Sequence, residues 1–236
     1  MMQKPMQEDP LYATQEQQEV LDLQTDFSAV GFVRDEHPAD GYVLLTPNAA
    51  KALVDKDIKV FMQHGFSEGS SYTDMDYADV GVEFEDDLFQ LSNMVKVLVK
   101  YQPFSEYQTA FIKDRQTILS VQNPAEITAS QMELLTMKRI TMVALNLIED
   151  ENGRSMTEKI LTETLSDVGK SIALSNFVVP VLAELTTAPI LRFALQKVPA
   201  LMDGILCFDG EVCNRDIADL LNLPYRNIVS LCWDLN

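Results

Sequence analysis

From Phe27 onward, short apolar runs alternate with amphipathic segments. Ser28–Arg34 (SAVGFVR), Ile58–Met62, Val95–Val99, Thr117–Val121 and Ile140–Ala144 are too short and too uniformly apolar for surface helices, and read as strands. Tyr42–Leu45 is a further apolar run. It ends at Thr46–Pro47, an N-cap hydroxyl followed by proline at the first helical position, and Ala49, Ala50, Leu53 and Val54 then make one apolar face. Thr73 caps a short acidic helix through Ala78, stopped at Gly81, after a Gly/Ser loop at Gly65–Ser71. Phe104–Ile112 and Ser130–Met137 supply further helices. Strands separated by helices at this spacing imply βαβ crossovers, so the expected fold class is α/β, a mainly parallel sheet flanked by helices.

The pattern changes after Asn152–Gly153. Met156–Lys197 reads as helix after helix, interrupted at Pro180, Pro189 and finally Pro199. Ile205–Phe208 and Glu211–Cys213 flank Asp209–Gly210, a hairpin signal, and Asn214 caps a helix through Leu221. Residues 1–27, rich in Gln and Glu, read as an arm with a short helix at Thr14–Leu23 and lack the layout of a secretory signal. The remainder, 28–236, is expected to be a single α/β domain whose main part, 28–155, is joined by a returning helical part, 156–236. Ile172–Leu195 is the longest apolar stretch. With Asn176, Pro180, Glu184, Pro189 and Arg192 inside it, it suits a buried helix better than a bilayer span.

Charge narrows the function classes. Against 18 Lys and Arg stand 36 Asp and Glu, a net charge of −18, and such a surface repels phosphate backbones and anionic lipid heads. Neither nucleic acid nor membrane is an expected partner. Val60–Val95 holds eight carboxylates and no Lys or Arg, a face suited first to solubility and second to docking a basic partner. Cys207, Cys213 and Cys232 cannot make a disulfide framework, and with His37 and His64 they lack zinc-site spacing, so buried thiols in a reducing, cytoplasmic setting are expected.

Candidate chemistry is sparse. None of the nine glycines lies two residues from another, so neither the GxGxxG dinucleotide fingerprint nor a GxxxxGK[ST] phosphate loop exists. His64 follows a strand and precedes a glycine-bearing loop, where α/β proteins place function, but no nucleophile motif accompanies it. Glu83, Glu85, Asp86 and Asp87 form an acidic run, read as a solvated helix start before a hard-cation site.

Several segments, in order, resemble one family: alanine dehydrogenase and the nucleotide-binding subunit of proton-translocating transhydrogenase. Val43–Pro47 (VLLTP) is similar to the family's RVALTP segment. Gly65–Gly81 (GFSEGSSYTDMDYADVG) resembles GAGEGSGFSDEDYxxAG, and Val97–Phe104 (VLVKYQPF) resembles VLKVxxP. Asp150–Glu158 looks like a shortened DxxGxxPxxxxMSE junction. Ile172–Ala183 and Val198–Tyr225 resemble the closing segments ALSNxxLPYVL and PALxxGLNxYKGxVTNxxVAExxxLPY.

The resemblance implies a discontinuous substrate-side domain, interrupted in the family by a Rossmann domain. Here Met156–Lys170 runs almost directly into the returning segment, so that nucleotide domain is expected to be deleted, in agreement with the missing fingerprint, and no cofactor is expected on this chain. Tyr42 stands where the family has a pyruvate-binding Arg. The family's substrate Lys corresponds to Lys100, or to Lys96 if the register slips. Its catalytic His falls at Gln122 or Asn123, neither able to carry a proton near neutral pH, and the Met of MSE is Met156. The expected function is a non-catalytic binding or assembly module, partnered by a second copy or a full-length dehydrogenase relative. The alternatives are the substrate-side part of a split NAD-dependent oxidoreductase, or a sensor of a small oxo-acid.

Overall fold

The computed structural model describes residues 28–36 and 41–233. The expected arm and its short helix at Thr14–Leu23 lie outside the described residues. The chain runs β1 (Ala29–Phe32), α1 (Pro47–Val54), β2 (Lys59–Met62), α2 (Asp74–Ala78), β3 (Glu83–Phe84), α3 (Leu88–Met94) and β4 (Val97–Val99). It continues through α4 (Glu106–Phe111), β5 (Thr117–Ser120), α5 (Ala129–Met137), β6 (Thr141–Ala144), α6 (Met156–Glu163) and α7 (Asp167–Thr187). Last come α8 (Leu191–Lys197), β7 (Ile205–Phe208), β8 (Glu211–Val212), α9 (Arg215–Leu221) and α10 (Ile228–Trp233).

The described strands form one sheet in the order β3-β2-β1-β4-β5-β6-β7-β8. Neighbours are parallel from β3 across to β6, and β7 and β8 are added antiparallel. The α/β expectation therefore holds. Parallel strands covered on both faces bury every side chain, which is why β1, β4, β5 and β6 are unbroken rows of buried residues and read as apolar runs. One face packs Leu53 of α1, Tyr77 of α2, Leu174 and Val178 of α7 and Leu195 of α8 against the sheet. The other packs Leu91 of α3, Met132 and Leu135 of α5 and Ile217 of α9.

Helix starts follow the expected chemistry. Thr46 accepts the N–H of Ala49 ahead of Pro47, and Thr73 with Asp76 makes a reciprocal capping box on α2. The β7–β8 turn is built as Asp-Gly predicts: Asp209 (φ 49°) and Gly210 (φ 82°) are both left-handed.

Tyr42–Leu45, buried from Val43 on, lies outside the sheet. Its backbone is claimed by α7 instead: Ser171 Oγ accepts the N–H of Val43 at 3.0 Å and Ser175 Oγ that of Thr46 at 2.9 Å. The carbonyl of Leu45 accepts from the buried Tyr77 hydroxyl. Two expectations need correction. First, Glu83–Phe84 is a two-residue edge strand, and only Asp87 of that acidic run caps a helix, α3. Second, Pro180 does not interrupt α7. Its missing N–H frees only the carbonyl of Asn176, and both residues lie on the exposed side, where water can take that acceptor. The helix ends at Thr187, ahead of Pro189.

Among the described residues α7 alone is long and apolar enough to cross a bilayer. In this fold Leu174, Val178, Leu182 and Leu185 are buried against the sheet instead.

Candidate functional site

Strand order reverses between β1 and β4: the chain winds outward to β2 and β3 on one side, then to β5 and β6 on the other. Loops leaving the carboxyl ends of β1 and β4 therefore diverge and leave a crevice, the usual ligand position in an open α/β sheet. Asp35 follows β1 and Lys100 follows β4 at this point.

Lys100 is 2% exposed. Its ammonium donates to Gln108 Oε1 at 3.0 Å and to the carbonyl of Pro103 at 3.4 Å. Burial pushes its pKa down, with Asp35 and Glu36 opposing the shift. Asp35 accepts the N–H of Gln102 at 2.9 Å, and burial raises its pKa against the pull of that N–H and of Lys100. Gln108 Oε1 also accepts the N–H of Ser105 at the start of α4, so the lysine is held by a helix cap. Lys96 lies on the opposite, amino edge of the sheet, its ammonium on the carbonyl of Thr186 at 3.2 Å. Three strand residues separate the two lysines, and only Lys100 reaches the crevice.

Tyr42 hydrogen-bonds the hydroxyl of Tyr101 at 2.9 Å, their rings edge to face with centroids 5.5 Å apart. Lys170, from the first turn of α7, sits 5.4 Å from the centroid of the Tyr42 ring. Gln122 is buried just beyond β5: its backbone N–H donates to Asn146 Oδ1, its amide N–H to the carbonyl of Asn123, and its Oε1 has no protein partner. Ser120 Oγ, at the end of β5, is likewise buried and unpartnered. Asn123 caps the short 3-10 turn Pro124–Glu126. Met156 begins α6, its N–H on the carbonyl of Ile148, where α6 packs against the turn that follows β6. Tyr42, Lys100, Gln122 and Met156 thus occupy one edge of the sheet.

Asp35 and Lys170 escaped sequence reasoning. Neither belongs to a motif, and only the pairing of β1 with β4 and the path of α7 bring them here. A buried ammonium beside a half-buried carboxylate costs more to desolvate than the pair recovers unless its geometry is very good. Lys100→Met is therefore expected to leave stability unchanged or raise it by about 1 kcal/mol, read from urea midpoints. In the parent, the lowered Lys100 pKa means this penalty is full at neutral pH and shrinks as pH rises toward the ordinary lysine value of about 10.4, so stability should climb over that range and the climb should vanish in the variant. A loss of about 3 kcal/mol would mean that Asp35 depends on the ammonium.

Other sequence candidates are used structurally. His64 donates its backbone N–H to Asp86 Oδ1 at 2.8 Å, places Nδ1 3.0 Å from Asp86 Oδ2 and stacks on Phe84. That N–H is the main reason the Asp86 carboxyl lies below the usual range. Asp74 accepts the N–H of Gly65, and Glu85 that of Asp87. No group of three or more His, Cys, Asp or Glu suited to a metal occurs among the described residues. The cysteines are free and buried, and burial pushes Cys207 and Cys213 up to about 12.

A doubly wound α/β domain with its polar crevice at the switch point is thus in place. The chain belongs to the family described as alanine dehydrogenase/PNT, N-terminal domain, whose model matches residues 32–160. Among solved structures, an L-alanine dehydrogenase aligns over 57% of this chain and 37% of its own, at 17% identity and a TM-score of 0.51. A transhydrogenase from Sinorhizobium meliloti aligns over 56% and 39%, at 16% identity and a TM-score of 0.47. At such identities the likeness concerns the fold, and the chain spans well under half of either protein. No significant match is found among curated proteins. Between α6 and α7 lie only Thr164, Leu165 and Ser166, so no Rossmann domain is inserted there.

Proposed function

We propose that this chain is a non-catalytic relative of alanine dehydrogenase, a cytoplasmic binding and assembly module that works as a homo-oligomer or beside a full-length dehydrogenase relative. The observation that carries the reading is the three-residue link from α6 to α7. Hydride transfer needs a nicotinamide held against the substrate carbon, and this link leaves no domain to hold one. The crevice supports the same reading. Tyr42 is engaged with Tyr101 and cannot grip a carboxylate bidentately as a guanidinium would, Gln122 is no proton carrier, and the Lys100 ammonium is spent on Gln108 and Pro103. A groove of about 720 Å³ between α1, α2 and α7, lined by Ala49, Ile172 and Val179, offers a surface for assembly. Three free buried thiols suit a reducing compartment.

Light scattering of the purified chain is expected to give a dimer or larger, or pull-down from the source cell a dehydrogenase-type partner. A clean monomer with no such partner would overturn the reading.

One observation favours a second reading, a small oxo-acid sensor. The Ser120 hydroxyl, buried at the end of β5 without a protein partner, can donate a hydrogen bond to a bound oxo-acid. Saturable binding of pyruvate in isothermal titration, with no response to NADH, would select the sensor. A split oxidoreductase instead predicts alanine oxidation only after a separate Rossmann polypeptide is added.

A further inference from the structure

The groove between α1, α2 and α7 carries charge of one sign. Among the described residues that line it, the charged ones are Asp76 in α2 and Asp79 just after it, and no Lys or Arg joins them. Asp76 Oδ2 accepts the backbone N–H of Thr73 at 2.7 Å and its hydroxyl at 2.8 Å, so Oδ1 keeps its lone pairs for a further donor. That N–H holds the Asp76 carboxyl below the usual range, so it stays charged. Asp79 is exposed at the C-cap of α2, where the helix carbonyls already concentrate negative charge and a carboxylate is unfavourable. Across the groove Asn176 and Pro180 of α7 both line the wall, and Pro180 leaves the Asn176 carbonyl without its helical donor. The surfaces between these acceptors are apolar: Ala52 of α1, and Val179 and the 48% exposed Ile172 of α7.

A partner segment that carries a lysine or arginine among apolar residues has the complementary chemistry. Its charged head meets the acceptors, while its methylene stem and its neighbours cover the apolar wall. A cation there also relieves the Asp79 carboxylate of its unfavourable place at the end of α2. A second copy of this chain is the poorer occupant, since two molecules of net charge −18 repel as they approach. We propose that the α1–α2–α7 groove docks a basic segment of a different protein, whose lysine or arginine engages Asp76, Asp79 and the freed Asn176 carbonyl and whose apolar residues cover Ile172 and Val179. The inference rests on the assembly reading above and adds the chemistry of the partner.

Fluorescence anisotropy of the purified full chain with a short dansyl-labelled peptide of alternating leucine and arginine tests it. The parent is expected to bind this peptide saturably. Asp79→Asn with Ala52→Arg removes one carboxylate and places a cation in the groove, both at exposed positions, and should weaken binding at least about tenfold. Glu133→Gln with Asp219→Asn makes the same change in net charge on α5 and α9, across the sheet from the groove, and should weaken it less than about twofold. A twin peptide with serine in place of leucine should bind the parent at least about tenfold more weakly, a comparison that needs no variant. Circular dichroism checks that both variants fold. The proposal is overturned if the parent shows no saturable binding, if the charge-matched variant loses as much as the groove variant, or if the serine twin binds equally well. It is also overturned if the parent self-associates and the groove variant does not, which would seat a second copy there. Light scattering and pull-down read assembly through any surface. A chain that assembles elsewhere therefore fails this test alone, and a chain without partners fails those alone.

Discussion

Replacing Ser171 and Ser175 together by alanine is expected to remove roughly 2–6 kcal/mol of stability, enough to unfold a large fraction of the protein near physiological temperature. The two serines are one helical turn apart on α7 and essentially fully buried. Each accepts a backbone N–H from a segment more than 125 residues earlier, Val43 and Thr46, in a place where no neighbouring strand is available. Alanine fills nearly the same space and leaves those N–H groups buried without an acceptor, at about 1–3 kcal/mol each. Urea unfolding by circular dichroism measures the loss. The single variants should each lose about half, and Ser171→Thr, which keeps the hydroxyl, should recover part of it. A double variant as stable as the parent would mean that α7 does not secure the 43–46 segment.

Gly210→Ala is the second large effect, expected to cost about 3 kcal/mol or more. At φ 82° an L side chain is strained, and a Cβ built there would lie 2.6 Å from the carbonyl oxygen of Thr136. That oxygen belongs to backbone at the end of α5 and cannot swing away as a side chain could. The β7–β8 hairpin must shift, and with it the antiparallel extension that joins the returning part of the chain to β6. Hydrogen exchange should show protection lost first across Ile205–Val212. Gly153→Ala is the matched control. Its φ of 72° is also left-handed, but the nearest atom a Cβ would meet is the end of the Glu149 side chain at 3.6 Å, so only a backbone cost of about 1 kcal/mol is expected.

These two sites show where local pattern stops being informative. Strands β1, β2 and β4–β6 were legible because parallel strands buried on both faces leave unbroken apolar runs. Asp209–Gly210 was legible because its turn chemistry is local. Tyr42–Leu45 is an apolar run of the same kind, but its N–H partners are serines on a helix far along the chain, and no window of sequence contains both. The edge strand Glu83–Phe84 is two residues long and half-exposed, so it leaves no periodic signal. Pro180 signals a break because proline removes a hydrogen bond, but the carbonyl it frees lies on a wet face and the helix continues.

The candidate site divides the same way. Tyr42, Lys100, Gln122 and Met156 were reached through resemblance to the family, and the fold brings them to one edge. Which of Lys96 and Lys100 faces the crevice depends on where β4 begins, a boundary that the apolar run Val95–Val99 blurs. Asp35 is a single carboxylate after a strand. Its meeting with Lys100 follows from β1 pairing with β4, which no local pattern encodes.

The most direct test of the central proposal, that the chain lacks a nucleotide domain and is not a dehydrogenase by itself, is isothermal titration of the purified full chain with NADH. The account predicts no saturable binding up to millimolar NADH, and no NAD-dependent oxidation of L-alanine by the same sample. One-to-one NADH binding accompanied by alanine oxidation would contradict it.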